Sequence, residues 1–228
     1  MTQKIVPFSR IEMFFILVLM GFIVFFLTEL SEAGTDVRDS VVKIYTVCNQ
    51  PDYDNPWNPL GHESISGSGC VINGNRILTN AHMVSDQTFI QVRLHGKPKK
   101  YTAHIIAVCH EADLALLGVK DPTFFKGVTP LKLGELPEVQ QEVMVYGFPC
   151  GGDALSSTKG VISRIEHQEY VHSTIELLAA QIDAAVNPGN SGGPVIVGGR
   201  VVSVVMRACS SSPSFPGPPR KAGSSPGM

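Results

Sequence analysis

A chain of 228 residues has room for one large or two small domains. Its 43% hydrophobic and 17% charged content is ordinary for a globular protein. A net charge of −2 without a long basic run gives no support to nucleic acid as a partner.

The N-terminus differs in kind from the rest. Lys4 and Arg10 precede an apolar block, Met13 to Leu27, that carries no charge. A block of that kind after basic residues is a targeting segment. Two readings stay open for residues 1–33. Ser31 and Ala33 are small residues three and one before Gly34, which suits signal cleavage there. Uncleaved, residues 13–28 would anchor the chain in a membrane with the basic flank in the cytoplasm. Either way the chain from about residue 34 is expected outside the cytoplasm, in a periplasm or another extracytoplasmic space.

From Asp39 to about Cys209 the pattern predicts strands. Ser40 to Val47 is rich in Val, Ile and Tyr; Asn49 to Ser66 reads as a proline-containing loop, with Trp57 assigned to packing. Gly69–Ile72 and Arg76–Thr79 flank Asn73-Gly74-Asn75, a hairpin signal. A short helical turn is expected around Ala81 to Ser85. Further strands are predicted at Thr88–Leu94, Tyr101–Val108, Leu114–Val119, Val143–Tyr146, Gly160–Glu166, Glu176–Asp183, Val195–Val197 and Val201–Met206. Many short strands at regular spacing indicate a barrel or sandwich rather than alternating strand and helix. Five cysteines without a C-x-x-C pair suggest neither a disulfide framework nor a zinc site. His104, Cys109 and His110 fit no common metal spacing, and no metal or cofactor is expected.

The chemistry concentrates in Gly189-Asn190-Ser191-Gly192-Gly193-Pro194. A nucleophilic serine needs an exposed hydroxyl and backbone N–H groups converging on the developing oxyanion, and flanking glycines permit both. It also needs a base, and a carboxylate to orient that base. All seven histidines precede Ser191. The G-x-S-x-G elbow of α/β-hydrolases, in which histidine follows serine, is therefore excluded by chain order. His82, just past the Arg76–Asn80 strand, is the best base. Asp113, directly before the apolar Leu114-Ala115-Leu116-Leu117, is the best acid, because an aspartate entering a buried strand needs a hydrogen-bond partner. Asp86, Asp121 and Asp153 stand in turn-like surroundings, and Asp183 reads as structural.

Three segments resemble the trypsin-like serine proteases of the HtrA/Deg family: Leu78-Thr79-Asn80-Ala81-His82, Ala112-Asp113-Leu114-Ala115-Leu116-Leu117, and Asp183 through Pro194. Gly67-Ser68-Gly69, Gly147-Phe148-Pro149 and Gly160-Val161-Ile162-Ser163 fall where that family has similar segments. The resemblance spans about residues 38 to 207. It implies an all-β, chymotrypsin-like double barrel, the first over residues 34–125 and the second over 126–209. It implies His82 as general base, Asp113 as its orienting acid and Ser191 as nucleophile. The N–H groups of Gly189 and Ser191, with Asn190 between them, would form the oxyanion hole. Met206, Arg207 and Ala208 would line the substrate pocket. The implied reaction is hydrolysis of polypeptide substrates through an acyl-enzyme, by a homotrimer acting in protein quality control.

The sequence also departs from the family. Met83 follows His82 where digestive relatives carry a cysteine, which favours the bacterial-type branch. Family members usually add one or more PDZ domains, and none is expected within these 228 residues. Residues 210–228 are rich in Ser, Pro and Gly and read as a disordered tail, so the second barrel is expected to lack its closing strand. A competing expectation follows: a weak or inactive protease fold that binds extended polypeptide.

Overall fold

The computed structural model describes residues 36–55, 57, 60–170 and 175–206. A 3-10 turn, Val37–Ser40, leads into β1, Val41–Asn49. The first sheet continues with β2 (His62–Ile72), β3 (Arg76–Thr79), β4 (Gln87–Leu94), β5 (Tyr101–Cys109) and β6 (Leu114–Val119). These six close into a barrel in the order β1-β2-β3-β6-β5-β4. Alternation in β4 sends Ile90, Val92 and Leu94 inward, where they meet Ile44, Ile77, Leu117 and Phe124. Barrel closure removes sheet edges and gives this half a continuous core.

The second sheet holds β7 (Lys132–Leu133), β8 (Glu142–Gly147), β9 (Ser156–Glu169), β10 (Glu176–Ile182), β11 (Pro194–Val197) and β12 (Arg200–Val204). Its order is β10-β9-β8-β11-β12-β7. Val143, Val145, Ile162, Val195 and Val205 form its core. Among the described residues its end strands, β10 and β7, do not pair with each other, so this sheet does not close. The architecture is the all-β, chymotrypsin-like double barrel implied by the resemblance, its second barrel incomplete among the described residues.

Several expectations need correction. β2 begins at His62, so His62–Ser66 is strand and not loop. These polar residues pair across from Tyr45–Asn49 of β1, whose β-branched face supplies the order they lack. Trp57 is 91% exposed, which overturns its assignment to packing. The segment after β3 is the short turn expected there, with Val84 N–H donating to Ala81 C=O at 3.0 Å. β9 is longer than expected, and the two-residue β7, parallel to β12, was not foreseen. The proposed targeting block and anchor at residues 13–28, and the tail at 210–228, lie outside the described residues. Among those described, no helix is long and apolar enough to cross a membrane.

Candidate active site

β3 ends at Thr79, and the turn beyond it presents His82. β6 begins just after Asp113, which closes the turn from His110 with its N–H on the His110 carbonyl. Asp113 has φ of 49°, a left-handed geometry that aspartate tolerates better than most residues. β3 and β6 are neighbours, paired through Thr79 and Ala115, so the two side chains converge. His82 Nδ1 lies 2.8 Å from Asp113 Oδ2 and 3.1 Å from Oδ1. The His82 backbone N–H also donates to Oδ1 at 2.9 Å, and the Asn80 side-chain amide donates to the Asp113 carbonyl.

The Asp113 carboxylate is 1% exposed. Burial pushes its pKa up, but hydrogen bonds from the His82 ring, the charge of that ring, the His82 N–H and the Tyr170 hydroxyl outweigh it. The net pKa is below the ordinary aspartate value. The Tyr170 contact was not anticipated from sequence. Tyr170 follows β9, is buried, and donates its hydroxyl to Asp113 Oδ1 at 2.7 Å. Burial and the neighbouring carboxylate both raise the tyrosine's own pKa.

Ser191 sits on the turn between β10 and β11. That turn docks on the first barrel. Ser68 N–H donates to the Ser191 carbonyl at 2.8 Å, and Ser68 Oγ donates to the Gly189 carbonyl at 2.8 Å. Ser68 Oγ in turn accepts the Phe148 N–H at 2.8 Å. Gly192 has φ of 83°, and a Cβ there would overlap Ser68 O and Thr79 Oγ1, so only glycine fits. The Ser191 carbonyl and the Met83 side chain both press on Gly67, which puts the serine turn against the segment carrying His82. No hydrogen bond from His82 to Ser191 is present among the described residues; such bonds are often long in a substrate-free enzyme and tighten on binding.

The Pro188 carbonyl accepts the Cys150 N–H at 2.7 Å, and Asn190 N–H donates to Asn187 C=O at 3.1 Å. Gly192 N–H goes to Val205 and Gly193 N–H to Asn190. Among the described residues no acceptor takes the N–H groups of Gly189 or Ser191. Asn190 is buried with its side-chain oxygen unpartnered. Of the pocket residues, Met206 borders a cleft of about 910 Å³ between the barrels, together with Leu78, Leu114, Leu116, Leu178 and Val202. Neither His82 nor Ser191 lines that cleft. Arg207 and Ala208 lie outside the described residues. Asp183 serves the structural role expected of it, accepting the Val161 N–H at 2.7 Å. Asp153, read as a turn residue, is the centre of an ion cluster with Lys43 and Arg93, both at 3.0 Å.

Comparison with known proteins identifies the family. Residues 67–204 match the family described as trypsin-like peptidase domain. Protease Do-like 4, mitochondrial, of Arabidopsis thaliana is 48% identical over 169 residues, covering 74% of this chain and 33% of that protein. Putative protease Do-like 6, chloroplastic, of the same plant is 42% identical over 163 residues, covering 71% of this chain and 74% of that one. The active-form structure of the Rv3671c protease of M. tuberculosis superposes with a TM-score of 0.63 at 26% identity, covering 76% and 72% of the two chains. The chain spans about a third of the length of Do-like 4. With the fold, the family match and these relatives together, the chain belongs to the trypsin-like peptidases, among the Do-like serine proteases of the HtrA/Deg group.

Proposed function

We propose that this chain is a serine endopeptidase that cuts unfolded or exposed polypeptide segments, in an HtrA/Deg-like quality-control role. The observation that carries the reading is the buried Asp113 carboxylate on His82 Nδ1 at 2.8 Å, next to a serine turn docked on the same barrel. In this reading Asp113 holds the proton on Nδ1, so that the Nε2 lone pair is the acceptor. His82 Nε2 takes the Ser191 hydroxyl proton as Oγ attacks the scissile carbonyl carbon. The N–H groups of Gly189 and Ser191 receive the oxyanion. His82 then gives its proton to the departing amine as the C–N bond breaks, leaving an ester on Ser191. Water, deprotonated by His82, attacks that ester; the acid product leaves and the serine regains its proton.

Homotrimer assembly is part of the proposal, on the resemblance alone, and so are the two barrel boundaries at residue 125/126. An N-terminal targeting or anchoring segment is proposed for residues 1–33. The names of the plant relatives favour the interior of an organelle over a periplasm as the destination.

A second reading has its own observation. Among the described residues the second sheet is open between its end strands β10 and β7, which favours a weak or inactive fold that only binds extended polypeptide. Covalent labelling of Ser191 by a fluorophosphonate, beside casein cleavage by wild type and S191A, separates the two. Labelling and cleavage lost only in S191A support the peptidase. A folded wild-type chain that neither labels nor cleaves supports the binder.

A further inference from the structure

We propose that Tyr170 is a positioning residue for the catalytic acid, fixing the plane of the Asp113 carboxylate so that one oxygen is left to the imidazole. The inference rests on the peptidase reading above and extends it to a residue of the second barrel.

The geometry divides the carboxylate in two. Oδ1 accepts the Tyr170 hydroxyl at 2.7 Å and the His82 backbone N–H at 2.9 Å. Oδ2 makes the shorter contact with His82 Nδ1, 2.8 Å against 3.1 Å from the same nitrogen to Oδ1. A carboxylate held by donors on one oxygen cannot rotate about its Cβ–Cγ bond without breaking them. Each charge-assisted bond of this kind is short and stronger than a neutral one. Tyr170 is 3% exposed, and a buried tyrosine hydroxyl needs a partner; this one has the acid of the opposite barrel, 57 positions earlier in the chain.

The ring is itself well placed to act as a fixed donor. Tyr170 follows the last residue of β9, and its N–H donates to Ile175 C=O at 2.9 Å, extending the β9–β10 ladder beyond the Glu169–Glu176 pair. The hydroxyl is therefore carried by a paired stretch of backbone rather than by a loose chain. Asp113 is equally constrained by its left-handed φ and by the Asn80 amide on its carbonyl. Two rigid elements from different barrels thus meet at one hydrogen bond. Hydrogen bonding to the charged form is also one of the causes that hold the Asp113 pKa down, which keeps the acid ionised beside the imidazole.

The test compares wild type, Y170F and D113N as full chains. Three quantities are read: kcat and KM on casein-derived peptides, the fluorophosphonate labelling rate, and the proton NMR resonance of His82 Nδ1–H, assigned by its loss or displacement in D113N. Y170F should lower kcat and the labelling rate together, on the order of tenfold, the scale of one hydrogen bond to a charged group. KM should stay unchanged and the Nδ1 proton resonance should move. A folded Y170F with a wild-type labelling rate and an unmoved resonance overturns the proposal. So does a change in KM at constant kcat, which would make Tyr170 a substrate contact. Should Y170F fail to fold, site-specific 3-fluorotyrosine at 170 keeps the shape and alters the donor; an unmoved resonance then overturns the proposal. If wild type neither cleaves nor labels, the peptidase reading fails by itself, and the Nδ1 resonance still reports whether Tyr170 positions the acid.

Discussion

Ser68 Oγ donates to the carbonyl of Gly189 over 2.8 Å, joining residues 121 positions apart in the chain. The same oxygen accepts the Phe148 N–H, so one buried hydroxyl ties the serine turn and the Gly147–Pro149 segment to β2. Ser68→Ala strands a buried carbonyl and a buried N–H, each costing about 1–3 kcal/mol. Its thermal midpoint should drop, and kcat/KM should fall on the order of tenfold because the Gly189 peptide loses its anchor. Calorimetry and peptide hydrolysis check both. Unchanged activity at lowered stability would detach Ser68 from the oxyanion geometry.

Replacing Asp113 by Asn keeps the shape but reverses the bond, because an amide NH₂ can donate to Nδ1 and stabilise the wrong tautomer. Activity should fall by about 10⁴-fold with little loss of secondary structure. Ser191→Ala should fall at least as far and abolish fluorophosphonate labelling. Circular dichroism alongside active-site labelling checks the pair; retention of most activity in D113N would move the acid elsewhere.

Gly192→Ala places a methyl against Ser68 O and Thr79 Oγ1, both held in hydrogen bonds, at a φ that L-residues avoid. The strain should cost at least about 2 kcal/mol and displace the serine turn. Urea unfolding and labelling should fail together. A stable, fully labelled variant would show that the turn can relax.

Acid should weaken the fold through Asp113. Its pKa in the folded chain is below the ordinary value, so the unfolded chain binds this proton more readily. The stabilisation is complete above the unfolded aspartate value, about 3.9. It is lost as pH falls through the lower folded value. Urea midpoints between pH 6 and pH 2.5 should fall less steeply in D113N than in wild type; parallel slopes would remove Asp113 from the acid response.

The thiols should divide by exposure. Cys109 and Cys150 are exposed, whereas Cys48 and Cys70 are buried. Burial pushes the Cys70 thiol up to about 12; burial, with Asp86 and Glu63 nearby, also raises Cys48. At pH 8 iodoacetamide should modify Cys109 and Cys150 in the native protein, and reach Cys48 and Cys70 only after unfolding. Peptide mass mapping reads the result. Native modification of Cys70 would contradict its burial against Leu131, Ile196 and Val201.

The strands and the candidate triad were legible because their signals are local. His82 follows an apolar strand by three residues, Asp113 precedes one, and Ser191 is bracketed by glycines. Tyr170 and Ser68 were not legible as site residues. Tyr170 reads as one more strand-end tyrosine, and only the packing of β9 against the first barrel gives its hydroxyl a carboxylate. Ser68 stood inside a recognised Gly-Ser-Gly segment, but two of its bonds reach a turn more than a hundred residues away and another reaches Phe148. The first half of β2 escaped notice for a related reason. Glu63, Ser64 and Ser66 carry no alternation, and their strand conformation is imposed by β1.

Among the described residues β10 and the two-residue β7 end the second sheet without a further partner, while β1 to β6 form a closed ring. Deuterium should therefore enter the molecule unevenly. The first six strands would hold their protons for as long as the whole chain stays folded, and β10 would surrender its outward-facing half within the earliest time points. The half that carries Ser191 would thus be the softer partner, resting on a harder one that carries His82 and Asp113.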